Sequence, residues 1–238
     1  MELIAKIKDL FLDILFPPQC LNCQVTLKDH EKENAICGKC LNGIILNTTF
    51  FCPVCKARLP DNRKICHKDS NYLLAAATGY NNETIKNLIW VFKYKKWRRL
   101  KKPLGDLLIN YLENIDYDFK DYMVIPIPLH KKRERERGFN QSKLLAEIAA
   151  EKLKINLVTN CLKRTKNTKI QAELKELNQR KQNIENCFAV ENPDAIKNKN
   201  IILVDDVHTS GTTMGEATNV LRVAGAKKII ALVIAKGG

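Results

Sequence analysis

Residues 201–213, Ile-Ile-Leu-Val-Asp-Asp-Val-His-Thr-Ser-Gly-Thr-Thr, constrain this chain more than any other stretch of it. A four-residue apolar run reads as a buried strand and ends in the adjacent carboxylates of Asp205 and Asp206. His208, Thr209, Ser210, Gly211, Thr212 and Thr213 follow as a hydroxyl-rich loop, and 214–224 has helical periodicity with Gly225 as a stop. In an open α/β sheet this order sets the acids at the carboxyl edge, where ligands bind. It also leads the loop into a helix N-terminus, where free N–H groups and the helix dipole favour a phosphate. Two acids beside a phosphate cradle suit a ligand with both a phosphate and a diol, such as a phosphorylated ribose. The loop has no Gly-Lys-Ser/Thr, so it is not a nucleoside triphosphatase P-loop.

The segment closely resembles the signature of type I phosphoribosyltransferases. That resemblance implies that Asp205 and Asp206 hold the ribose hydroxyls of phosphoribosyl pyrophosphate (PRPP) and that residues 208–213 wrap its 5′-phosphate.

The cysteines define a second region. Six of the nine fall in Cys-x-x-Cys pairs, Cys20/Cys23, Cys37/Cys40 and Cys52/Cys55, with Cys66 nearby. In an unsecreted protein this spacing reads as zinc, because each pair presents two thiolates to one metal and two pairs complete a tetrahedron. One site takes Cys20, Cys23, Cys37 and Cys40. The other is built on Cys52, Cys55 and Cys66, with either His67 or Asp69 as fourth ligand; this is the natural division, and an interleaved pairing of the three Cys pairs is the alternative. One or two zinc ions are therefore expected. Cys161 and Cys187, far from the rest, read as core thiols. A module of this size has too little core to fold unaided, and metal supplies the staple.

These features divide the 238 residues into an N-terminal helix (1–18), a zinc-bearing module (19–70) and an α/β domain (71–238). The first helix has Leu3, Ile7, Leu10, Phe11 and Ile14 at helical spacing and ends at Pro17-Pro18. No stretch approaches the ~20 apolar residues of a membrane span, and the N-terminus lacks the pattern of a signal peptide, so the expected location is cytoplasmic. Within the larger domain, helices are predicted over 83–92, 104–112 and 142–153, and strands over 123–129, 155–158, 188–190, 201–204 and 229–235. Pro126 and Pro128 confine the first of these strands to a sheet edge. Ala172 to Ile184 reads as helical, and 131–141 as a polar loop. Alternating strands and helices predict an α/β fold with a mainly parallel sheet.

The net charge of +14 points to a polyanionic partner or to a lysine-rich surface. Two basic runs sharpen the choice. Lys131, Lys132, Arg133, Arg135 and Arg137, followed by Gly138, leave the sheet at the same edge as the acid pair, where guanidinium forks would meet a pyrophosphate and its Mg²⁺; a solvated charge run is the alternative. Lys93, Lys95, Lys96, Trp97, Arg98 and Arg99, with Tyr94 among them, suit single-stranded nucleic acid, or else form a helix whose aromatics are buried.

Taken in order, the Cys-x-x-Cys pairs, Leu88-Ile-Trp-Val-Phe-Lys-Tyr94, Val124-Ile-Pro-Ile-Pro-Leu129, Arg137-Gly-Phe-Asn-Gln141, Leu162-Lys-Arg-Thr165 with Gln171, Arg180 and Asn183, and the acid-pair motif resemble the ComF family of competence proteins. The resemblance spans essentially the whole chain. It implies a double zinc ribbon fused to a phosphoribosyltransferase-like domain that binds PRPP with Mg²⁺ and handles single-stranded DNA during natural transformation. It also implies a helicase-like partner at the inner face of the cytoplasmic membrane. Asp69 departs from the family pattern, which has cysteine there. The alternative is an active phosphoribosyltransferase that moves ribose 5-phosphate onto an acceptor and releases pyrophosphate.

Overall fold

The computed structural model describes residues 13, 15–60, 66–67, 70–168 and 182–237. The expected N-terminal helix lies almost wholly outside them, as do Asp69 and most of the helical stretch at 172–184, with Gln171 and Arg180. A six-stranded sheet organises the molecule. Its strands are β1 (Phe50–Phe51), β2 (Arg58–Leu59), β3 (Leu73–Gly79), β4 (Tyr122–Pro126), β7 (Asn200–His208) and β8 (Lys228–Lys236), in the order β2-β1-β3-β8-β7-β4. The four strands β3, β8, β7 and β4 are parallel, while β1 and β2 form an antiparallel hairpin added at the β3 edge through Phe51 opposite Leu74. The small ribbon hairpin and the α/β sheet are thus one sheet. A separate two-stranded antiparallel sheet joins β5 (Leu162–Arg164) to β6 (Phe188–Val190).

The expected parallel α/β architecture is present, with β8 at its centre. β4 lies at the edge opposite the ribbon hairpin and ends on Pro126, since a proline cannot donate to a ladder. The segment at 155–158 makes only a single bridge, Val124 to Leu157.

Both faces of the sheet are covered, so its central strands read as continuous apolar runs. One face is packed by α1 (Glu83–Tyr94), α2 (Lys101–Glu113) and α4 (Gln141–Leu153), which set Ile85, Leu88, Phe92, Leu104, Leu108 and Leu145 against Ile202, Val204 and Leu232. α2 and α4 touch closely at Gly105, where any Cβ would run into Ile148. The first ribbon joins this same cluster through Leu27, Ile36 and Ile44. The opposite face holds α5 (Thr212–Val223) through Met214, Ala217 and Leu221, together with Leu162 and Phe188 of the small sheet.

The segment expected as a polar loop contains a helix, α3 (Lys131–Arg137). No apolar residue announces it, and its ends specify it instead. His130 caps the first turn by accepting from the Lys132 amide, and Gly138 closes the last in the left-handed region at φ 85.

Candidate functional site

The acids sit near the end of β7 within the strand, which continues to His208. Asp205 is fixed from two sides: its Oδ1 accepts from Ser142 Oγ at 2.8 Å and from the Asp206 amide at 2.9 Å. Ser142 is placed by Asn140, the N-cap of α4, whose side chain accepts from the Ser142 amide and donates to the Ile127 carbonyl. Arg137-Gly-Phe-Asn-Gln141 is therefore a turn that delivers Ser142 to the acid pair, with the Phe139 ring seated on Phe92. Asp206 is 2% exposed and pairs through Oδ1 with Lys93 Nζ at 2.7 Å. Its Oδ2 has no hydrogen-bond partner. A buried carboxylate oxygen left without a donor is costly, and Asp205 and Asp206 both line an open pocket that a hydroxyl-bearing ligand could fill.

That pocket encloses about 330 Å³. Its floor is residues 205–214, and its walls carry Lys93, Arg133, Arg137 and Arg164. With four cations against two carboxylates it is net positive. Arg133 and Arg137 are one helical turn apart on α3 and face inward, whereas Lys131, Lys132 and Arg135 are exposed outside the lining. Gly138 serves as the helix stop. Arg164, on β5, is a pocket residue that charge runs did not disclose; its signal was the segment Leu162-Lys-Arg-Thr165. Thr168 ties it down with Arg133, accepting from Arg164 through its hydroxyl and from Arg133 through its carbonyl.

Burial dominates the electrostatics. It raises the Asp205 carboxyl to about 6, helped by neighbouring Asp206 and opposed by Lys93. Burial also works against the Lys93 charge, but Asp206 and Asp205 outweigh it and hold the ammonium above its ordinary value. Arg137 and Arg164 are lowered by burial. Both remain cations at neutral pH, since guanidinium starts far above it.

The loop 208–213 turns into α5 at Gly211, an N-cap in the left-handed region at φ 77 that brings no side chain of its own to the helix end. Thr212 and Thr213 start the helix, and Ser210 Oγ lies 3.1 Å from Thr212 Oγ1. Such an N-terminus presents backbone N–H groups and a positive dipole end to the pocket. His208 belongs to the loop in sequence but is 2% exposed, and its ring is turned beneath it. Its Nδ1 lies 2.9 Å from Lys56 Nζ and its Nε2 2.9 Å from Tyr72 Oη. Burial drives the imidazole down to about 3, so the ring is neutral. An ammonium can only donate, so Nδ1 accepts from Lys56 and Nε2–H donates to Tyr72.

The basic run after α1 serves two places. Lys93 enters the pocket. Trp90, Tyr94 and Trp97 are 51%, 42% and 38% exposed, with cations laid over them: Lys95 on Trp90, Arg137 on Tyr94 and Arg99 on Trp97, at 5.3, 5.7 and 4.9 Å. Arg98 lies over Phe139, and Lys96 is exposed in a turn with φ 58. This aromatic ledge adjoins the pocket through Tyr94. Trp90, one turn before Tyr94 on the exposed face of α1, was the part of it that the basic run left unmarked.

The cysteines gather into two clusters. Cys20, Cys23, Cys37 and Cys40 form one; Cys52, Cys55, Cys66 and His67 form the other, with all ligand atoms of each within 4.8 Å of one another. Sulfur separations of 3.6 Å (Cys23–Cys37) and 3.2 Å (Cys55–Cys66), with His67 Nδ1 3.5 Å from Cys52 Sγ, approach the ~3.8 Å edge of a zinc tetrahedron with ~2.3 Å bonds. In each cluster the leading cysteine, Cys20 or Cys52, is brought to about 6: burial would raise it, but backbone N–H bonds to its sulfur outweigh that. Both donor sets fit zinc, and His67 stands in the fourth position of the second; Asp69 lies outside the described residues.

Residues 11–70 match the double zinc ribbon domain family and residues 140–238 the phosphoribosyl transferase domain family. The chain is 28% identical to Competence protein F of Haemophilus influenzae over 221 residues, 89% of this chain and 93% of that protein. It is 28% identical to Competence protein ComFC of Bacillus subtilis over 206 residues, 82% and 80% of the two chains. To DNA utilization protein YhgH of Shigella flexneri it is 34% identical over 106 residues, 44% and 45% of the two. No helix among the described residues is long and apolar enough to cross a membrane.

Proposed function

This chain belongs to the ComF family, a double zinc ribbon joined to a phosphoribosyl transferase domain, and from that premise we propose that it binds PRPP with Mg²⁺ and handles single-stranded DNA in competence. The observation that carries the reading is a pocket lined by the Asp205–Asp206 pair, with the N-terminus of α5 at one side and arginines at the other. A phosphorylated ribose satisfies all three. Its hydroxyls donate to Asp205 and Asp206, its 5′-phosphate accepts from the 209–213 loop, and its pyrophosphate is gripped by Arg133, Arg137 and Arg164, with Mg²⁺ offsetting the remaining charge. Ser142 orients Asp205 and Lys93 orients Asp206, so both carboxylates are held before ligand arrives.

Single-stranded DNA would lie on the ledge of Trp90, Tyr94 and Trp97, where rings stack on bases and Lys95, Lys96, Arg98 and Arg99 meet phosphates. The ribbons, loaded with zinc, would act as scaffold. The names of the relatives, competence and DNA utilization proteins, support a role in competence or DNA use; we place that role, as part of the same proposal, in DNA uptake on the cytoplasmic side of the membrane beside a helicase-like partner.

Calorimetric titration of Mg-PRPP into the zinc-loaded protein tests the binding reading. Saturable binding that Asp205→Ala/Asp206→Ala abolishes, at unchanged zinc content, is expected; normal binding by the double variant would refute the ribose assignment. Pyrophosphate release on adding nucleobases or amines would favour the transferase reading instead.

A further inference from the structure

His208 belongs to the pocket floor, yet both of its ring nitrogens are taken up by groups beneath the loop. Its imidazole is the surface on which the phosphate loop rests. A Cβ at Gly211 would come within 2.9 Å of His208 Nε2 and 3.2 Å of Tyr72 Oη, so the loop backbone lies directly on this pair. Both groups that grip the imidazole come from the arms of the second cysteine cluster. Lys56 immediately follows Cys55, held in the left-handed region at φ 61 by the knuckle bond from its own amide to the Cys52 carbonyl. Tyr72 begins the run into β3 just after Cys66 and His67, with the Ser70 amide bonded to the His67 carbonyl and Ser70 Oγ to the Tyr72 carbonyl. One candidate metal site thus adjoins both supports of the ring in the chain, across 152 residues of sequence to Lys56 and 136 to Tyr72.

Resting on the proposed reading of the pocket, we propose that Lys56 and His208 are positioning residues that couple the second zinc ribbon to the sugar-phosphate site. The 209–213 loop takes its binding shape only while Cys52, Cys55, Cys66 and His67 hold their metal. With the ion bound, the knuckle fixes the backbone of Lys56, and its ammonium and Tyr72 hold the imidazole as a strut under Gly211. Without it, the two arms are free to part, the strut drops, and the loop loses the surface that shapes it.

The test compares wild type with Lys56→Ala, Lys56→Arg, His67→Ala and, as a control on the equivalent turn of the first ribbon, Gln24→Ala. Two measurements are made: hydrogen–deuterium exchange of peptides spanning 205–216, and titration with Mg-PRPP. At wild-type zinc content, Lys56→Ala speeds exchange over the loop and weakens PRPP binding, each by roughly tenfold, the size expected for one lost charge-assisted bond. Lys56→Arg restores most of both, His67→Ala reproduces the loss, and Gln24→Ala changes neither. Exchange in Lys56→Ala equal to wild type overturns the coupling, as does faster exchange in His67→Ala alone. If wild type fails to bind PRPP, the reading of the pocket falls, and the exchange result still decides whether the strut exists.

Discussion

The two Cys-x-x-Cys knuckles that open each ribbon are built alike and serve different ends. In both, the residue after the second cysteine is left-handed, Gln24 at φ 60 and Lys56 at φ 61, with its amide bonded to the carbonyl of the first cysteine. In both, the first cysteine's own amide donates to the carbonyl five residues on, that of Val25 or Ala57. The difference is what lies beyond. Gln24 is exposed, and the first ribbon rests on the outer helices through contacts such as Asn22 with Asn87 and Glu33 with Lys102. Lys56 is partly buried under the phosphate loop, and the hairpin flanking it pairs with β3. A motif fixes local geometry; which side chain follows it, and which sheet edge it meets, decides whether it is a peg or a lever.

The sharpest way to break this comparison is to remove one ligand from each site. Cys20→Ser and Cys52→Ser should each lose one zinc by elemental analysis, with the several kcal/mol that structural zinc contributes to folding, of a binding free energy on the order of 10 kcal/mol. Only Cys52→Ser should also lose PRPP binding; equal loss in both variants would erase the distinction between the ribbons.

Asp206→Ala damages the pocket while sparing both ribbons. It strands the largely buried Lys93 ammonium and should cost about 3–5 kcal/mol in denaturant unfolding, at full zinc content.

Asp205 should behave in the opposite sense. Its carboxyl is raised to about 6, so the folded protein takes up a proton before the unfolded chain does. Over that window, from about 4 to about 6, its contribution to stability falls as pH rises. Asp205→Asn should therefore stabilise the fold at neutral pH by on the order of 1 kcal/mol while weakening PRPP binding. In wild type, PRPP affinity should fall by up to about tenfold per pH unit below about 6; a flat profile would show that the ligand does not need the Asp205 charge.

The smallest effects belong to the ledge. Trp90→Ala and Trp97→Ala should each cost single-stranded DNA binding about 1–3 kcal/mol. Neutralising Lys95 and Arg99 should flatten its salt dependence. Both should be indifferent to which ribbon has been damaged.

Much of this was legible in the sequence because it is local. The β7–loop–α5 unit, the Cys-x-x-Cys knuckles and the edge position of β4 follow from spacing, hydroxyls, glycine and proline. The helix α3 was hidden because Lys-Lys-Arg-Glu-Arg-Glu-Arg has no apolar periodicity; only its caps mark it, and its helical turn is what separates Arg133 and Arg137 from their exposed neighbours. Lys93 looked like one more member of a basic run. Its pairing with Asp206 needs two strands and a helix to be assembled, as does the contact of Lys56 with His208. No pattern within a window of the chain carries such information.

The central place of β8 has a consequence for how the protein is made. β8 lies hydrogen-bonded between β3 and β7, and its pairing with β3 joins residues such as Leu74 and Ala231 that are far apart in the chain. On the ribosome, the ribbons can take their metal early. The main sheet must wait in two halves, β1 with β3 and β4 with β7, each with one apolar edge unpaired, until the segment ending at Lys236 has emerged. Pairings of such long sequence separation form slowly and leave hydrophobic edges exposed in the meantime, so a stalled or truncated chain lacking β8 should be an aggregation-prone species with correctly folded ribbons.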